Sequence, residues 1–164
     1  MLGITSYGAY IPVYRLSQSE ISRAWGGGGG RGEKAVANYD EDSLTMAVAS
    51  SLDCVSGLDT GDIKAVYFAT TTAPYQEKSA SATLTEALDL CDDVRTLDFS
   101  GSLRVSSGAM LAALDAVKTD IGRVLVASSD CRLGAAGGQW EQFFGDGSAS
   151  FLLGNDNVIA VSYT

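Results

Sequence analysis

Between Leu2 and Ser128 the chain alternates apolar runs of strand length with segments whose apolar residues recur at helical spacing, and this alternation restricts it to an α/β fold. Leu2 to Val13 is rich in strand formers. Ser17 to Trp25 reads as a short helix, capped by Ser17 with Glu20 completing a capping box, and the glycine run Gly26 to Gly30 stops it. A longer helix starts at Asp42 or Ser43, with Asp40 and Glu41 near its positive end and Leu44, Val48, Leu52 and Val55 on one face. Ile63 to Thr70 is a mostly apolar run that suits a strand covered on both faces. Ser79 to Leu90 returns to helix with Leu84, Ala87 and Leu88 inward, and Val94 to Phe99 is a strand. Ser106 to Thr119 is a helix with Met110, Ala113, Leu114 and Val117 inward, and Arg123 to Ser128 is the next strand. The predicted order is β-α-β-α-β-α-β, which gives a largely parallel sheet with right-handed crossovers. Beyond Ser128 the spacing predicts a short helix over Trp140 to Phe144, then strands over Gly145 to Gly154 and Val158 to Tyr163 joined as a hairpin.

Composition narrows the function classes. A chain of 164 residues that is 46% hydrophobic suits one compact domain. Its 11 basic residues are scattered among 20 acidic ones, for a net charge of −9, which excludes the clustered cations that nucleic acid requires. The first residues lack the basic region and apolar core of a signal peptide, and no stretch approaches the roughly 18 apolar residues of a membrane span. No membrane partner is expected, and the expected compartment is the cytoplasm. Cys54, Cys91 and Cys131 are odd in number, far apart and unaccompanied by any His, so they read as free thiols, not as a disulfide framework or a zinc site.

Four motifs stand in order on these elements: Gly3-Ile-Thr-Ser-Tyr-Gly-Ala-Tyr-Ile-Pro12, Asn38-Tyr-Asp-Glu-Asp-Ser-Leu-Thr-Met-Ala47, the turn from Asp98 through Gly-Ser-Leu-Arg104 to Met110, and Phe144-Gly-Asp-Gly-Ser-Ala149. Together they resemble the thiolase-like superfamily, in its HMG-CoA synthase and ketoacyl-ACP synthase III branches. The resemblance implies one βαβαβαββ half of that fold, with a mixed, mainly parallel five-stranded sheet and helices on its faces. It makes residues 1–164 a single N-terminal domain, the second half being absent. It also implies acyl-CoA as substrate, no covalently bound cofactor, a homo- or heterodimer and, by similarity to HMG-CoA-synthase-like thiolases and aldolases of degradation pathways, a zinc-ribbon/OB-fold partner protein.

In these relatives the strand that ends in Asp is followed five residues later by a nucleophilic Cys. Counting from Asp98 lands on Leu103; a register one residue shorter places Ser102 at the tip. A thiolate at a helix N-terminus is stabilised by the dipole and by free N–H groups, so it is both populated and aimed; leucine can do none of this, and a serine hydroxyl needs an adjacent base. The family's His, with the donors of its oxyanion hole, comes from the second half, and this chain has no His. The catalytic Glu of HMG-CoA synthases falls in Thr70 to Pro74, which holds no carboxylate. The chain alone is therefore expected to be inactive, although some thiolase-fold aldolases break C–C bonds without acyl transfer to Cys. The alternative is a non-catalytic subunit that dimerises with an active homologue.

Further substrate-binding candidates follow from position. Cys131 closes a core strand at its C-terminal end and either lines an acyl pocket or is a small buried hydrophobe. Arg104 opposes the dipole of its helix; it pairs with Asp98 or Asp130, or meets a CoA phosphate. Trp25, Arg31 and Lys34 flank the region where the family fold admits CoA. The Gly-x-Gly-x-x-Gly within Gly26 to Gly32 follows a helix, so it lacks the strand-turn-helix context of a dinucleotide site and reads as a loop. Asp146 is expected to bind backbone N–H groups in a tight turn.

Overall fold

The computed structural model describes residues 1–27 and 30–161. Twelve elements follow in order: β1 (Gly3–Tyr10), β2 (Tyr14–Ser17), α1 (Gln18–Trp25), β3 (Glu33–Val36), α2 (Ser43–Val55), β4 (Ile63–Ala69), α3 (Ala80–Ala87), β5 (Arg95–Phe99), α4 (Val105–Lys118), β6 (Arg123–Asp130), β7 (Gly147–Gly154) and β8 (Ala160–Val161). The main sheet has the order β5-β4-β6-β7-β1-β8. β4 pairs in parallel with β5 and β6, whereas β7 runs antiparallel to both β6 and β1. Four of the five long strands therefore point one way, as expected, with β7 reversed.

The helices form because their starts are capped. Asp42 accepts from the Leu44 and Thr45 amides, and the Thr45 hydroxyl closes a capping box, so α2 begins where the acidic run ends. Ser17 caps α1 and Ser79 caps α3. Glu20 pairs with Arg23 one turn on instead of closing the expected box. Gly26 ends α1 at φ 71°, in the left-handed region that a side chain resists.

α2 and α3 cover one face of the sheet around Leu44, Val66, Phe68, Leu84, Leu125 and Leu152. α4 covers the other around Tyr67, Ala109, Ala113, Val124 and Val126. The seat of α2 is made by small and hydroxylic residues. Ser50, Ser51, Ser148 and Ser150 are buried and hydrogen-bonded to one another at 2.7–2.9 Å, which satisfies hydroxyls that would otherwise cost stability in the core. Gly8 of β1 lets the helix approach so closely that a Cβ there would collide with the backbone of Ser50 and Cys54.

Several expectations are corrected. Leu52 is 51% exposed, because α2 turns serines toward β7 and leaves this leucine on its outer side. Ala87 is exposed at the end of α3, while Leu84 and Leu88 point inward. Trp140 to Phe144 forms successive turns and no regular helix. β7 and β8 do not form a hairpin: both edges of β7 are already paired, so β8 adds to the far side of β1, opposite Gly3 and Ile4. The sequence reading also missed the two-stranded ribbon of β2 and β3. Gly28 and Gly29 of the glycine run, and Ser162 and Tyr163 of the last expected strand, lie outside the described residues.

Candidate active site

The C-terminal ends of β4, β5 and β6 lie side by side, and the chain leaves each through a polar turn. After β5, Ser100 and Gly101 bend the backbone, Gly101 at φ 82°, and α4 starts at Val105. This is the strand-turn-helix that the Asp98 to Met110 motif predicts. Leu103 is 75% exposed at its tip. The Ser102 hydroxyl accepts from the Arg104 amide at 3.2 Å, so it is engaged in the turn and no base adjoins it. No side chain caps the start of α4.

The two carboxylates proposed as partners of Arg104 are occupied elsewhere, and neither expected ion pair forms. Asp98 accepts from the Ser79 hydroxyl and the Ser81 amide, both at 2.8 Å, tying β5 to the start of α3. Asp130 Oδ1 accepts from the hydroxyls of Thr70, Thr71 and Thr72 at 3.0 Å and from the Thr71 amide at 2.6 Å. Asp98 thus finds its donors at the start of α3 and Asp130 in the turn after β4, and Arg104 is left exposed. Charge-assisted bonds of this kind are among the stronger ones available, so the threonine turn is firmly fixed.

The Asp130–threonine clamp was not foreseen, although its signal is present in the sequence: a run of hydroxyls after one core strand and a carboxylate ending the next. Thr72 extends the clamp, since its hydroxyl accepts from the Cys131 amide at 3.0 Å and its carbonyl from Ser43 at 2.7 Å. Cys131 is partly buried, and burial pushes its thiol pKa up, so at neutral pH it is a protonated thiol and not an activated nucleophile.

Two cavities flank these turns. One, of about 260 Å³, is lined by Phe68, Ala80, Phe99, Ser100, Asp98 and Tyr75. The other, of about 440 Å³, lies between the start of α4 and the sheet, against Ser106, Ser128, Asp130, Ala149, Ala9 and Tyr10.

Trp25 and Arg31 belong to a separate rim built from α1, the β2–β3 ribbon and residues 131–146. Trp25 ends α1 with its indole facing Gly137, where a Cβ would approach the ring to 3.6 Å. Arg31 is exposed ahead of β3, and Lys34 donates to the Glu141 carbonyl at 2.6 Å. Asp146 accepts from the Ala37 amide at 2.7 Å, in agreement with its expected backbone role. Ser102, Leu103 and Arg104 thus share one turn, Cys131 opens the loop that leads to the rim, and Trp25 and Arg31 stand on the rim itself. Among the described residues no group of three or more His, Cys, Asp or Glu could hold a metal ion, and no helix is long and apolar enough to cross a membrane.

No family model matches the chain. It is 31% identical to the hydroxymethylglutaryl-CoA synthase of Pyrococcus horikoshii over 99% of its own length and 47% of that protein. Among solved structures it superposes on an HMG-CoA synthase complexed with CoA with a TM-score of 0.85 and 23% identity, covering 94% of this chain and 42% of that one. The curacin-pathway HMG synthase in complex with acetyl donor-ACP gives 0.86 and 19%, covering 95% and 42%. The structural matches establish the fold. The chain spans about half the length of the curated relatives it matches.

Proposed function

Because this chain is a thiolase-like protein related to HMG-CoA synthase, we propose that it is the N-terminal half of an enzyme that makes or breaks a C–C bond beside an acyl-CoA thioester. The observation that carries this reading is the strand-turn-helix at Asp98 to Met110, formed in full, with Leu103 exposed at its tip, the position at which the resemblance, in its ungapped register, implies a nucleophile. None of the three candidate positions at the site offers an activated nucleophile. Leu103 has no nucleophilic atom, the Ser102 hydroxyl is engaged and has no base, and the Cys131 thiol stays protonated. Acid–base chemistry on a substrate held by this half then depends on groups from the remainder of the protein, and this chain alone is inactive.

In this reading Arg104, which has no ion pair among the described residues, and the rim residues Trp25 and Arg31 face the carrier's phosphates and nucleotide, with Cys131 beside the acyl group. The protein acts in the cytoplasm as a dimer, and a zinc-ribbon/OB-fold protein is its expected partner. Leu103 also favours a second reading, a non-catalytic subunit paired with a Cys-bearing homologue.

The test is to incubate the full-length protein with labelled acyl-CoA, following both C–C cleavage or condensation and label retained on the polypeptide. Turnover without label on residues 1–164 is the expected result. Stable acylation of Ser102 or Cys131 would overturn it. Turnover only when a co-purified, Cys-bearing homologue is present would establish the second reading.

A further inference from the structure

We infer that the groove between the β1–β2 turn and the loop before α2 is a docking surface for a second protein, one whose contacting face is apolar with basic residues at its border. The inference goes beyond the acyl-thioester reading and does not depend on it, since the groove takes no residue from the turn at Leu103.

The groove has a volume of about 370 Å³ and is lined by Val13, Tyr14, Asn38, Asp40 and Glu41. Val13 is 83% exposed, Tyr39, in the loop that supplies the other lining residues, is 96% exposed, and Tyr14 is exposed as well. A single exposed apolar side chain needs no explanation. Three gathered at one groove, two of them tyrosines, match the composition of protein interfaces.

Both sides of the groove are fixed in advance. The Arg15 guanidinium donates to the Pro12 carbonyl and, at 2.9 Å, to the Tyr14 carbonyl, which holds the β1–β2 turn. The Tyr10 hydroxyl donates to one oxygen of the Glu41 carboxylate, and the other oxygen accepts from the Asn38 amide at 2.7 Å, so the loop is tied to the end of β1. A surface held in this way loses little freedom on binding.

Charge decides the kind of occupant. Asp40 and Glu41 line the groove, Asp42 follows them, and none of the three forms an ion pair among the described residues. Arg15, the cation at the turn, pairs instead with Glu33 at 3.7 Å. In a chain of net charge −9, such a surface disfavours nucleic acid, anionic lipid and a second copy of the chain, and it attracts a protein that brings lysines or arginines.

The test is photo-cross-linking of the full-length protein in extract of its source, with benzoylphenylalanine in place of Val13 and, as control, in place of Leu52 on the outer side of α2. The expected result is a cross-link from the Val13 position to one other polypeptide, through a peptide that contains Lys or Arg. The polypeptide so identified is then purified and titrated calorimetrically against the full-length protein. Asp40→Lys and Tyr39→Ser, the second of which changes no charge, are each expected to raise its Kd about tenfold, and added salt to weaken binding to the wild type. A cross-link to the remainder of the same chain or to another copy overturns the inference, as does a yield no higher than at the Leu52 position. So does a purified partner whose affinity is the same for the wild type and both variants.

Discussion

The two faces of the sheet are finished differently. On the α2/α3 face the central strands are covered: Phe68, Leu84, Leu125 and Leu152 are at most 1% exposed, and the hydroxyls caught there bond to one another. On the α4 face a single helix spans the centre, leaving Leu111 on its outer side 58% exposed and Tyr7 on β1 66% exposed. Ser6 and Gly8 contact α2, so Tyr7 and Ala9 between and after them point to this second face. Close packing therefore belongs to one side of the molecule, while the other side carries the turn at Leu103 and the larger cavity. Packing is thus unequal across a single sheet.

The largest effect that tests this contrast is a pair of truncations. Phe68→Ala removes a fully buried ring from the closed face and is expected to cost about 3–5 kcal/mol in urea denaturation, whereas Leu111→Ala on the open face should cost within about 0.5 kcal/mol. Similar losses from the two would mean that Leu111 is covered in solution and that the open face is not open.

Alkaline pH gives a second, smaller probe of the closed face. Burial pushes the Cys54 thiol from its ordinary 9.0 up to about 11. Between these values the unfolded chain loses the proton while the folded chain keeps it, so the unfolded state binds fewer protons and stability falls as pH rises. The stability is fully present below pH 9, and about 2–3 kcal/mol is lost by pH 11. Tyr67, raised chiefly by burial, adds a loss in the same direction at higher pH. Urea midpoints measured at pH 8 and pH 10.5 should differ less in Cys54→Ala than in the wild type; an equal decline would place the alkaline sensitivity outside the α2 seam.

The closed face was also the more legible in the sequence. The apolar run of β4 and the cap expected at Asp42 or Ser43 are local signals, and both elements appear where these place them, with Asp42 as the cap. What escaped depends on partners distant in the chain. The inward face of α2 was read through Leu52, yet it is set by Ser50 and Ser51 meeting Ser148 and Ser150 about a hundred residues away. β8 was placed beside its sequence neighbour because a Gly-Asn-Asp-Asn segment favours a hairpin, but strand pairing had already used both edges of β7. At the site, the strand-turn-helix after Asp98 was legible from the sequence, and it forms where the motif places it. The partners of Asp98 and Asp130 were not, because the competing donors lie at the start of α3 and in the turn after β4, and only the fold brings them within reach.

That last point leads to the smallest effect, at the turn itself. Asp98 and Leu103 sit five residues apart in one motif, but Asp98 is bonded to the start of α3 whereas Leu103 stands exposed at the tip. Asp98→Ala deletes two bonds that hold the start of α3 and is expected to cost about 1 kcal/mol, the usual worth of a helix N-terminal capping interaction. Leu103→Ser changes a side chain that is 75% exposed, and it should shift the urea midpoint by less than about 0.5 kcal/mol. A clear loss on Leu103→Ser would show that the leucine packs against another surface in solution. If the loss is confined to Asp98→Ala, the strand-turn-helix is held by its base and not by its tip, which leaves the tip free to vary in chemistry without disturbing the fold.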